Sequence, residues 1–223
     1  MATYSPQGFS MFPKGVKNLL IINILIFIAT WVAEMRGLGH LVDPLCLYPL
    51  KIGYLHPFTY TMGFHFWQPF TYMFLHAGWD HLFFNMFALW MFGYILENYW
   101  GTRRFLIFYI LCGIGAAITH MAMSILLNMP PVPTVGASGA IYGILLAFGM
   151  MFPNERIYLY FLLPIKAKWF VIIYALIELF EGVFRSGDGV AHFAHHGGML
   201  VGLILILLWR QREKRQDRWR RDY

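Results

Sequence analysis

Six apolar runs, at residues 16–34, 79–98, 105–127, 138–152, 169–184 and 194–210, decide what this chain can fold into. A helix needs roughly 20 such residues to cross a bilayer whose hydrocarbon core is about 30 Å thick. The runs therefore read as an all-α membrane protein, a bundle of six transmembrane helices. The fourth run is short: 15 residues of helix rise only about 22 Å, so its Ser138 end is expected below the membrane surface. Composition agrees, with 59% hydrophobic and 13% charged residues, where a soluble domain keeps roughly a quarter charged. Aromatic residues make up 19% and include eight tryptophans, which suits ring side chains at two membrane interfaces.

The net charge of +6 does not point to nucleic acid, because seven of the 17 basic residues crowd into 210–221. Such a cluster beside a span reads as a cytoplasmic anchor that favours anionic lipid. With the N-terminus inside, 14 basic residues fall on inner segments, and Arg36, Lys51 and Arg185 remain outside. The positive-inside rule then puts both termini in the cytoplasm. The organisation reads as a short cytoplasmic N-terminus (1–15), a six-helix core (16–210) and a basic cytoplasmic tail (211–223), with a bacterial inner membrane as the expected location. The first run is read as a retained helix, since 1–17 lack the short apolar core and small-residue cleavage site of a signal peptide. Cys46 falls in an outer loop and Cys112 in mid-span, so no disulfide between them is expected.

Three constellations carry candidate chemistry, all toward the outer face. Gly136-Ala137-Ser138-Gly139 opens the fourth helix. Glycines let a backbone approach closely, and a helix N-terminus offers unpaired N–H groups where an oxyanion could form. Tyr142 lies one turn on, on the same face. The plainer alternative makes Ser138 an N-cap and Gly139 and Gly143 packing residues. The second constellation is His195-His196-Gly197-Gly198, opening the sixth helix, with Gly202 beyond it. His195, Gly198 and Gly202 share one stripe, and an ionisable residue inside a span is a functional-site hypothesis by default. His196 lies about 100° round the helix. His192 shares the face a turn higher and is expected to meet solvent or loop residues. The third is His81-x-x-x-Asn85 in the second helix, two residues on one side. A buried asparagine amide there could donate to an oxyanion or simply bridge helices.

Together these make Ser138 a nucleophile with His195 as its base, and Asn85 and His81 stabilise the oxyanion with the Ser138 N–H. No acid is evidently placed to orient the histidine: Asp188 lies in a short loop, and Glu178 and Glu181 lie in the fifth run. A two-residue dyad is the minimal reading, with Tyr142 holding the imidazole by packing in place of an acid.

At these residues the chain resembles the rhomboid family of intramembrane serine proteases, of the bacterial six-helix type. The resemblance spans roughly 16–210. It rests on Gly136-x-Ser138, His195-x-x-Gly198-x-x-x-Gly202, His81-x-x-x-Asn85 and Glu97-x-x-x-Gly101-x-x-Arg104-Phe105. It implies a Ser138–His195 dyad, Tyr142 packed on His195, His81 and Asn85 on the oxyanion side, and Gly198 as the close-contact glycine beneath the histidine. It also implies a membrane-associated first loop (35–78), a cap (185–190) over a water-filled site, and single-span membrane proteins as substrates, with no cofactor. Where many relatives carry Trp-Arg in the first loop, this chain has Trp67-Gln68.

Rival classes fit less well. The cluster His192, His195 and His196 lacks HExxH spacing and shows no supporting carboxylate on its face, which disfavours a metal site. No inverted repeat marks a transporter. A non-catalytic relative that binds client helices remains the alternative, although such proteins usually lack the serine or the histidine and both are present here.

Overall fold

A computed structural model describes residues 9–48, 63–127, 132–159, 162–184 and 192–222. Its helices are α1 (Lys14–Met35), α2 (Gln68–Thr71), α3 (Trp79–Trp100), α4 (Thr102–Leu126), α5 (Ser138–Met151), α6 (Ala167–Phe184) and α7 (His192–Asp222). The six long ones coincide with the six apolar runs to within a few residues, except at the C-terminal end of α7. Three of them, over Lys14–Met35, Thr102–Leu126 and His192–Gln216, are long and apolar enough to cross a membrane by length and composition alone. The chain is an all-α integral membrane bundle.

Two segments differ from the sequence reading. The tail after Arg210 continues α7 to Asp222, because Arg, Lys, Gln and Glu are good helix formers and nothing there breaks the helix. The stretch 154–168, which lies between the fourth and fifth apolar runs and outside both, holds an antiparallel hairpin of β1 (Arg156–Leu159) and β2 (Leu163–Lys166), with Ile157 opposite Ile165. The expected cap at 185–190 and residues 49–62 of the first loop, Lys51 among them, lie outside the described residues.

α5 is short because it is surrounded. Its 14 residues span about 21 Å, and ten of them, from Gly139 to Gly149, are buried. α4, α3 and α7 form the walls around it. Lipid supplies no hydrophobic force between helices, so close association depends on small residues and backbone contact. The tightest point is Gly198 on α7, where a Cβ would stand 1.8 Å from the Gly139 carbonyl oxygen of α5. No side chain fits there.

The two ends of the bundle are tied differently. At one end Glu97, fully buried on α3, accepts from the Gly15 and Val16 amides of α1 at 2.7 Å and from the Thr102 hydroxyl at 2.6 Å. These satisfy amides that a helix N-terminus otherwise leaves open. At the same end Arg104 pairs with Glu213 at 2.8 Å and lies 4.2 Å over the Trp209 ring. Arg210 donates to the Met150 carbonyl at 3.1 Å. The basic ends of α1, α4 and α7 therefore sit together.

At the other end the first loop is stitched to the segment before α5. Leu47 and Thr134 exchange backbone hydrogen bonds at 2.9 and 2.8 Å, and Gly136 N donates to Tyr72 O at 2.9 Å. Gln68, which is buried, accepts from Tyr48 N at 3.2 Å and donates to the carbonyls of Pro44 and Gly63. A neutral amide thus braces the loop from inside without a buried charge.

Replacing Gly198 by Ala is expected to separate α5 from α7 and destabilise the protein by about 1–3 kcal/mol. At Gly202 the nearest atom to a new Cβ is the Phe108 ring at 3.1 Å, which can shift, so Gly202→Ala should cost less. Thermal unfolding of both variants in detergent checks the order.

Candidate active site

Ser138 is the first residue of α5. The helix cap is Ala137, and no side chain caps the end, so the Ser138 hydroxyl is not spent on capping, while Gly139 and Gly143 do pack closely against α4 and α7. Instead the hydroxyl faces His195 on α7, with Oγ 2.9 Å from Nε2. The glycine contact beneath it sets that distance. Tyr142, one turn along α5, stacks on the His195 ring with centroids 4.1 Å apart and planes 12° from parallel.

Beside Ser138 stand α3 and the bend before α5. Gly136 has φ +130°, and a Cβ there would lie 2.8 Å from both Cε1 and Nε2 of His81. Both conditions require glycine. His81 Nδ1 accepts from Ala77 N at 3.3 Å, which leaves its proton on Nε2, the nitrogen beside Gly136. Asn85 Nδ2 donates to the His81 carbonyl at 2.8 Å. One amide hydrogen is used within α3, and the second is free to donate elsewhere. The early N–H groups of α5 have no intrahelical partner. His76 lies with its ring 5.1 Å from His81. Burial, and after it the His81 ring, hold its imidazole down at about 3, so it is neutral at ordinary pH.

These residues open onto a cavity of about 900 Å³ lined by His81, Asn85, Gly136, Ser138, Tyr142 and His195. Its flanks are apolar: Phe84 and Met91 from α3 face Phe170, Ile173 and Ile177 from α6.

The expectation that no acid orients the histidine needs correction. Glu178 of α6 is buried against His195, with Oε2 2.7 Å from Nδ1. The same Oε2 lies 2.8 Å from His192 Nδ1, and Oε1 accepts the Tyr142 hydroxyl. His192 is buried beside the same carboxylate, with Glu181 at 3.9 Å, so of the two surroundings expected for it solvent is not one it meets. α6 covers that turn of α7. His196 points to α6, with Nε2 3.2 Å from the Ala175 carbonyl. The available signal for Glu178 was a carboxylate inside an apolar run, which is costly unless partnered.

A supporting carboxylate therefore does stand beside the histidines. Among the described residues Glu178, His192 and His195 could hold a metal ion, their ligand atoms lying within 4.8 Å of one another. The carboxylate-to-imidazole distances of 2.7 and 2.8 Å are those of hydrogen bonds. Ligands about 2.0–2.1 Å from one tetrahedral zinc would stand roughly 3.3 Å apart. Cys46 is no rival nucleophile, because burial, with Asp43 and Glu34 nearby, pushes its thiol up to about 11. Both cysteines are free.

Comparison with known proteins adds an independent line. The family model described as the rhomboid domain matches residues 63–212. Rhomboid protease GluP of Bacillus subtilis is 36% identical over 138 residues, covering 62% of this chain and 25% of that protein. RHOMBOID-like protein 6, mitochondrial, of Arabidopsis thaliana is 35% identical over 156 residues, covering 70% of this chain and 47% of the relative. The chain thus spans a quarter to about half the length of these two. Putative rhomboid protease YdcA of Bacillus subtilis is 30% identical over 156 residues, covering 67% of this chain and 70% of its own.

Gly136→Ala is expected to keep the bundle folded while displacing His81 and the start of α5, with backbone strain of about 1–3 kcal/mol. Labelling of Ser138 by a serine-directed fluorophosphonate should slow at least tenfold, read by gel fluorescence against folded protein.

Proposed function

This chain belongs to the rhomboid family, and on that premise we propose that it is an intramembrane serine endopeptidase. It cleaves single-span membrane proteins in or near their transmembrane segment, with Ser138 as nucleophile and His195 as general base. The observation that carries this reading is the 2.9 Å approach of His195 Nε2 to Ser138 Oγ at the wall of the cavity.

The chemistry follows the geometry. His195 Nε2 takes the hydroxyl proton as Oγ attacks the scissile carbonyl carbon. The negative charge moves to the former carbonyl oxygen, where the Ser138 N–H, the second Asn85 amide hydrogen and the His81 Nε2–H can receive it. His195 then gives its proton to the leaving amine. Water enters next, deprotonated by the same nitrogen, and hydrolyses the ester. Tyr142 keeps the imidazole plane fixed throughout.

Substrate access is supported by the apolar flanks of the cavity. A lipid-embedded segment can lay its side chains against α3 and α6 as its backbone reaches Ser138. Its amides are paired within its own helix, so it must unwind before it can be cut. The basic ends of α1, α4 and α7 lie opposite the site. The positive-inside rule favours the cytoplasm for such ends, which supports both termini inside and the site toward the outer face; a bacterial inner membrane is part of the same proposal.

In liposomes with a single-span substrate, Ser138→Ala and His195→Ala should each lower cleavage by at least roughly 10³-fold, and chelators should change nothing. Cleavage that survives Ser138→Ala would sink the protease reading and leave client binding. Activity kept in His195→Ala but lost in His192→Ala would move the base by one turn. Each Leu-to-Gly change near the cut lowers the cost of unwinding by about 1 kcal/mol, so rates should rise about fivefold per change. A uniform poly-Leu span cleaved as fast as one containing Gly or Pro contradicts the unwinding step.

A further inference from the structure

The Ser138–His195 reading leaves one buried group without a role. Glu178 sits in the middle of α6, in a span, where an ionised side chain is retained only when it is partnered. Its carboxylate has three donors: the Tyr142 hydroxyl at Oε1, and His192 Nδ1 and His195 Nδ1 at Oε2. The donors come from α5 and α7, the two helices that carry the nucleophile and the base.

The protons settle what this arrangement does. An ionised carboxylate only accepts hydrogen bonds, so a neutral His195 at 2.7 Å from Oε2 must carry its proton on Nδ1. Nε2 is then a bare lone pair, and it faces the Ser138 hydroxyl at 2.9 Å. That is the tautomer a general base needs. When Nε2 takes the serine proton, the ring becomes a cation against a carboxylate that was already in place. Tyr142 holds the other oxygen, so the carboxylate cannot rotate away from the imidazole.

We propose that Glu178 is a positioning residue that completes a Ser138–His195–Glu178 triad, fixing the His195 tautomer and offsetting the imidazolium formed during attack. The proposal rests on the protease reading above and deepens it, replacing a dyad held by ring stacking alone. Among the described residues the other titratable groups around the imidazole include His192 and Glu181 on the α6–α7 side, His81 across the cavity, His120 of α4 and the Tyr142 hydroxyl.

Two measurements test this. In liposomes with a single-span substrate, Glu178→Gln should lower kcat on the order of 10²- to 10⁴-fold, with KM within about twofold of wild type. Glu178→Asp should recover at least tenfold over the Gln variant. A carboxylate that only joined α6 to α7 would show its loss in thermal unfolding and would not split kcat from KM. Glu178→Gln turning over within threefold of wild type, while Ser138→Ala is dead, overturns the triad and leaves the protease reading standing. The second measurement needs no turnover: ¹⁵N-histidine NMR of the wild-type protein in detergent should show the His195 proton on Nδ1. A proton on Nε2 overturns the triad even if Glu178→Gln fails to fold.

Discussion

The site depends on how closely two backbones can approach each other in lipid. Gly198 of α7 rests on the Gly139 carbonyl of α5 so tightly that no Cβ fits between them, and Gly202 lies against Gly143 one turn further along. Because lipid is as apolar as a leucine side chain, this approach must be held by contact and geometry, with no help from water. It also fixes the chemistry. Ser138 and His195 belong to different helices, and a hydrogen bond weakens quickly beyond its usual 2.7–3.2 Å. Small shifts of α7 on α5 therefore matter at the Ser138–His195 contact long before they matter to the fold.

A polar site within a membrane bundle must also satisfy itself. Around the imidazole the polar groups are matched to one another. Ser138 has His195, His195 and His192 have Glu178, and Glu178 has Tyr142 as well. Asn85 spends one hydrogen on the His81 carbonyl. Gln68 does the same for the first loop with a neutral amide, satisfying the Pro44 and Gly63 carbonyls without burying a charge. The cluster resembles a short chain of hydrogen bonds in which removing one member leaves its neighbours desolvated and unpaired.

Much of this was legible in the sequence, for identifiable reasons. Run length gave the long helices, because crossing a bilayer demands a minimum number of apolar residues. Glycine spacing gave the Ser138–His195 pairing, because a close backbone approach permits few other residues, and i+4 spacing gave Tyr142 and the His81–Asn85 pair. Glu178 was visible only as a carboxylate in an apolar run. Which face of α6 meets α7 is set by how the helices cross, and no local spacing links 178 to 195. That His192 is shielded from solvent was hidden for the same reason, since α6 covers that turn and no local spacing records it. The hairpin at 156–166 and the helical tail show the reverse: local pattern and propensity were present but lay outside the apolar runs that guided the reading.

The way α6 is attached brings these threads together. Much of its surface is exposed and apolar, including Ile172, Leu176, Leu179 and Val183, and faces lipid. Toward α7 it offers polar links: Glu178 to His192 and His195, and the Ala175 carbonyl to His196. In a medium without water, polar links between helices persist because separating them strands both partners. The hydrogen bonds that hold α6 in place are thus the same ones that set the protons of the site. α6 also lines the cavity through Phe170, Ile173 and Ile177. Helix assembly, the shape of the cavity and the state of the base are therefore one arrangement, and a change in how α6 seats on α7 alters all three together.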